Sequence, residues 1–116
     1  MKKFVVILGL CLVFAPLFSQ SSQKVNRKTA ERYLKLAENA VIAGNDAAAL
    51  SNTNLALAYD DSISDLYYIS ALLENKNGAS LLTVKNTCET AFEKNTWLHD
   101  NQKSARILYS DVLCDL

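Results

Sequence analysis

The feature that most constrains this chain is an internal repeat. Tyr33–x–x–Leu36–Ala37 recurs as Tyr67–x–x–Ser70–Ala71, and Gly44 recurs as Gly78 at the same interval. A fixed period of this length marks stacked supersecondary units, none of which can bury its apolar side without a neighbour. The units read as helical. Ala30, Tyr33, Leu34, Ala37, Ala40 and Val41 recur at steps of three and four, one face of an α-helix that runs from about Arg27 to Gly44. Gly44–Asn45–Asp46 stops it, since Gly44 and Asn45 tolerate the left-handed conformation and Asp46 suits a helix cap.

The same punctuation divides the rest. A second helix spans Ala47–Tyr59 and breaks at Asp60–Asp61–Ser62. A third spans Leu66–Lys76, with Ser64 or Asp65 as its cap, and ends at Asn75–Lys76–Asn77–Gly78. A fourth covers Ala79–Lys94, a loop carries Trp97 and His99 over Asn95–Asn101, and a fifth runs from about Gln102 to the end. One proline and three glycines are too few for the frequent turns of an all-β fold. Helices joined by such short turns stack as antiparallel neighbours, so the expected fold is all-α.

Before this region lies an address. Lys2 and Lys3 precede an apolar run from Phe4 to Phe18, followed by Ser19–Gln20–Ser21–Ser22, the layout of a secretory signal. The run is shorter than the roughly 20 residues that span a bilayer, and Pro16 interrupts its end. The expected division is a signal peptide over 1–21 and a flexible leader over 22–29, giving an exported protein with no integral membrane segment after cleavage. Bulky Leu10 immediately before Cys11 argues against lipid attachment there.

The composition also excludes some functions. The chain of 116 residues carries 12 basic and 12 acidic residues, and without Lys2 and Lys3 the balance is ten against twelve, about −2. Nucleic-acid binding needs a clustered basic surface that this balance does not supply. The basic cluster Lys24, Arg27, Lys28, Arg32 and Lys35 reads as the solvated ends and faces of the first helix, the alternative being attraction of an acidic partner or an anionic membrane surface. Export permits disulfides, but a hairpin turning near Trp97–His99 sets Cys114 about 10 Å along the axis from the position opposite Cys88, beyond disulfide reach. Two free, buried thiols are expected. No phosphate loop, His-x-x-x-His, Cys-x-x-Cys or nucleophile elbow is present. His99 is the sole histidine and has only Asp100 beside it in the loop, while Glu89 and Glu93 share a face with Lys85 as a solvated charge stripe. No metal site, cofactor or catalytic residue is expected.

The repeat resembles the tetratricopeptide (TPR) family, over roughly 70 of the 116 residues. In the first unit, 30–63, Tyr33 stands where that family often has tryptophan, and Leu36–Ala37 matches its Leu–small pair. Gly44 sits at the inter-helix turn, and Ala49 and Ala56 fall at the two small positions of the second helix. Thr53 and Asp61 depart from the pattern, and the second unit, 64–97, matches less closely, with Ser70 in place of leucine. Residues 102–116 form a terminal helix or open a third unit. The resemblance implies a short α-solenoid that binds a protein or peptide on a concave face made by the first helix of each pair. That face would carry Glu31, Leu34, Glu38, Val41 and Ile42 from the first unit. The second unit would add Asp65, Tyr68, Leu72, Asn75 and Lys76. The expected function is that of a non-catalytic adaptor or assembly scaffold of the cell envelope. The alternative is a piece of a longer solenoid, or a homo-oligomer, that associates through its terminal helix.

Overall fold

In a computed structural model the described residues, 26–116, form five α-helices, and no strand occurs among them. The signal run, Cys11 and Lys24 lie outside the described residues. Helix α1 covers 26–43, so it already includes residues 26–29, which the sequence pattern placed in a leader. It is followed by α2 (Asp46–Tyr59), α3 (Ser64–Lys76), α4 (Leu81–Lys94) and α5 (Gln102–Asp115). No helix among the described residues is long and apolar enough to cross a membrane.

The two glycines of the repeat do the same work. Gly44 and Gly78 adopt φ of 76° and 83°, each just past the end of a helix. The next amide then turns back: Asn45 N–H donates to the Ala40 carbonyl at 2.9 Å, and Ala79 N–H to that of Glu74 at 2.9 Å. This satisfies carbonyls that a helix end leaves without partners. The cap after Gly44 differs from expectation by one residue: Asn45, not Asp46, caps α2 by accepting from the Ala48 N–H. Ser80 caps α4 by accepting from Thr83 N–H, so that helix begins at Leu81 and not at Ala79. Helix α3 has Ile63 at its cap position, whose side chain has no atom to cap with, and the expected caps Ser64 and Asp65 lie inside the helix and are engaged elsewhere.

Packing divides into two apolar clusters joined through α3. On one side Ala30, Leu34 and Ala37 of α1 and Ala49 and Ala56 of α2 meet Leu66, Ile69 and Leu73 of α3. On the other, Ala71 of α3 meets Val84 and Cys88 of α4 and Leu108 and Val112 of α5. Helix α3 is thus buried on two sides, and Tyr68 packs against both clusters. The fully buried alanines Ala37, Ala71 and Ala105 stand one repeat period apart in α1, α3 and α5. A methyl at each of these places lets a neighbouring helix approach closely. Thr53, buried in α2, donates its hydroxyl to the Ala49 carbonyl at 2.7 Å and so meets its own hydrogen-bonding need in the core.

Rings and ions close the edges. Tyr33 stacks on Tyr59 at 5.9 Å, tying α1 to the end of α2, and Phe92 meets Trp97 and Tyr109 at 6.2 and 5.4 Å. Arg27 donates to Asp60 Oδ2 at 2.6 Å and to the Ser62 hydroxyl at 2.9 Å, fixing α1 to the α2–α3 turn. Tyr67 is only half-buried, because its hydroxyl donates to the Asp61 carbonyl at that turn. Cys88 and Cys114 are both free, yet only Cys88 is buried: Cys114 is exposed in the last turn of α5.

Candidate functional site

The residues that α1 turns away from its core stripe build one wall of a groove of about 900 Å³. Lys28, Arg32, Lys35, Asn39 and Ile42 follow each other at steps of four, three, four and three, so they share a face. Glu31, Glu38 and Val41 lie beside them, Tyr68, Ile69 and Leu72 of α3 line it further along, and His99 and Asn101 complete it. Ile42 is 84 % exposed although aliphatic, at the same groove as Leu72.

The third wall exists only because the loop after α4 is clamped onto the start of α3. Ser64 N–H donates to the Thr96 carbonyl, and Ser64 Oγ accepts from Thr96 N–H, both at 2.8 Å. Asp65, fully buried, accepts from the amides of Leu98 at 2.8 Å and His99 at 3.0 Å and from Asn101 Nδ2 at 2.9 Å. A buried carboxylate requires such donors, and its place in the first turn of α3 sets it against the positive end of the helix dipole. Asn101 Nδ2 also reaches Glu38 Oε2 at 2.7 Å, and His99 Nδ1 lies 2.7 Å from Glu38 Oε1. A carboxylate has no proton to give, so the imidazole donates. The other ring nitrogen, Nε2, is 3.8 Å from Glu31. Glu38 of α1 and Asp65 of α3 thereby hold the loop in place.

Of the residues expected on the concave face, Glu31, Glu38, Val41, Ile42, Tyr68 and Leu72 do line the groove. Leu34 does not: it is fully buried, because it shares the stripe of Ala30 and Ala37 that faces α2 and α3. Asp65 is sealed beneath the loop. Asn75 and Lys76 lie outside the groove, and Lys76 turns to Asp46 at the start of α2, 2.9 Å away. Local sequence reasoning does not reach His99 and Asn101, since a loop residue reads as solvent-exposed when its partner Glu38 lies 61 and 63 positions away. One signal does exist: Glu31, Asp65 and His99 stand at successive repeat periods, so one more period from the first two arrives at the third. The basic residues Lys28, Arg32 and Lys35, read as merely solvated, are groove-lining.

A histidine oriented by a carboxylate forms part of many hydrolytic sites, but such sites also need a nucleophile within reach. Among the described residues no serine, threonine or cysteine lines this groove. Among the described residues no group of three or more His, Cys, Asp or Glu is placed to hold a metal ion. Compared with family models, curated proteins and solved structures, the chain matches none.

Proposed function

We propose that this chain is a non-catalytic protein-interaction module of the cell envelope, exported by its N-terminal segment, in which two TPR-like helical hairpins and a closing helix present a groove to a peptide or partner helix. The observation that carries this reading is an open groove with aliphatic and aromatic lining, with Ile42 84 % exposed beside Tyr68 and Leu72. Exposed aliphatic surface in a concave, charge-rimmed setting is what peptide-binding grooves use. The solenoid reading draws support from the identical turn-back hydrogen bonds after Gly44 and Gly78 and from the buried alanines at one period.

The test is binding of a random decapeptide display library to the chain, compared with Ile42→Asp and Leu72→Asp variants. Enrichment that both variants remove supports the reading; enrichment that they leave intact places binding elsewhere and refutes it. A second reading, self-association through α5, is favoured by its exposed Ile107, Leu113 and Leu116, at 56, 43 and 59 %. Light scattering separates the two: a concentration-dependent dimer abolished by Ile107→Asp places the function at that end.

A further inference from the structure

The charges around the groove are not equivalent. Glu38 has both oxygens engaged, one by His99 and one by Asn101. Glu31 stands three residues after Lys28 and four before Lys35, yet neither pair closes; the basic group near it is the His99 imidazole, 3.8 Å away. Lys28, Arg32 and Lys35 make no ion pair among the described residues, whereas Arg27, Lys76 and Lys85 are each held by a carboxylate. At successive steps of four and three, these three cations form a stripe along the first half of α1. The apolar part of the groove, Val41 and Ile42 with Leu72, lies at the other end of the same helix.

We propose that the groove's occupant is a protein segment with carboxylates at one end and a large aliphatic side chain at the other, lying along α1. The carboxylates meet Lys28, Arg32 and Lys35, and the aliphatic group meets Ile42 and Leu72. This rests on the reading of the groove as a peptide site and adds the chemistry of what it takes. The helix rise fixes the spacing. From Arg32 to Ile42 is ten residues, about 15 Å, which an extended chain covers in about five residues. The unpaired cations attract acidic groups and reject basic ones, and so set specificity and encounter rate more than raw affinity. A flat anionic bilayer fits less well: the cations line a concavity, and Glu31, half-exposed between them, would face the lipid headgroups.

The experiment is fluorescence anisotropy with the full-length chain and four labelled peptides. The first has three glutamates, four neutral residues and two leucines. In the others the glutamates become glutamines or lysines, or the leucines become serines. The glutamate–leucine peptide should bind at least about tenfold tighter than each of the others and weaken as salt rises. An Arg32→Glu/Lys35→Glu double variant, with unchanged helicity, should lose about tenfold, since each exposed charge contributes modestly and reversal turns attraction into repulsion. If the glutamine peptide binds as tightly, the charge assignment is overturned while the groove reading stands. If no peptide binds in a way that Ile42→Asp abolishes, both fall. Binding to phosphatidylserine vesicles in preference to every peptide would overturn the proposal in favour of a membrane surface.

Discussion

Replacing Asp65 by alanine tests the central claim about the groove, that its third wall depends chiefly on a buried carboxylate. Asp65 accepts three hydrogen bonds, from the amides of Leu98 and His99 and from the Asn101 side chain, at 2.8–3.0 Å. Bonds to an ionised acceptor contribute about 1.5–3 kcal/mol each, but they are not additive, and the freed amides are only half-buried and regain some water. The loss should be about 3 kcal/mol. For a helical domain of this size each kcal/mol shifts the melting temperature by about 4–8 °C. Thermal unfolding followed by circular dichroism should therefore show a fall of at least about 12 °C. Asp65→Asn should fall by a comparable amount, because its amide group would point a donor at a donor. In the same variants the His99 ring resonances should shift as the loop releases Glu38, while the core resonances of Ala49 and Ala56 stay put. A fall of less than about 4 °C, with His99 unmoved, would refute the reasoning and show that the Ser64–Thr96 pair alone holds the loop.

Three further outcomes are expected. Burial, with Glu74 and Glu89 adding to it, pushes the Cys88 thiol up to about 11, while Cys114 is exposed; alkylation at pH 8 followed by peptide mapping should label Cys114 quickly and Cys88 only after unfolding. Burial raises the Asp60 carboxyl, but hydrogen bonds from Ser62 and Arg27 outweigh it and hold the group below its ordinary 3.8. A lowered folded value stabilises above the unfolded one and is lost as pH falls through the folded one, so denaturant melts of the native chain should weaken below about pH 4. Asp60→Asn should flatten that limb and cost about 1 kcal/mol at neutral pH, a modest figure because Arg27 is 42 % exposed. Gly44→Ala meets no neighbouring atom but must hold φ of 76°; it should lose about 1 kcal/mol in the same melts, whereas a loss under a few tenths would mean the turn relaxes.

The helices were legible from residue types alone because their causes are local. Glycine at a left-handed turn, Asp60–Asp61–Ser62 after α2 and the three-and-four spacing of Ala30, Leu34 and Ala37 act within a few residues of themselves. The repeat period was equally visible, since a repeat is a property of the string. Which side of α1 would be core and which groove was legible only in part. Leu34 and Ile42 are both aliphatic and both within the helical pattern, yet one is fully buried and the other almost wholly exposed. That difference depends on where α2 and α3 pack, which no local rule contains. Asp65 shows the same limit: next to a helix start a carboxylate reads as a cap, but here it holds the backbone of a loop that begins only after the next helix has ended. By itself, then, the sequence determined an all-helical chain and, to within about two to four residues, where its helices begin and end, because those choices are made by neighbours along the backbone. Only the tertiary structure decided that the loop after α4 folds back onto α1 and α3, bringing His99 to Glu38 and leaving Lys28, Arg32 and Lys35 beside an open groove. Those contacts join residues separated by whole helices, and they exist only once the helices have packed.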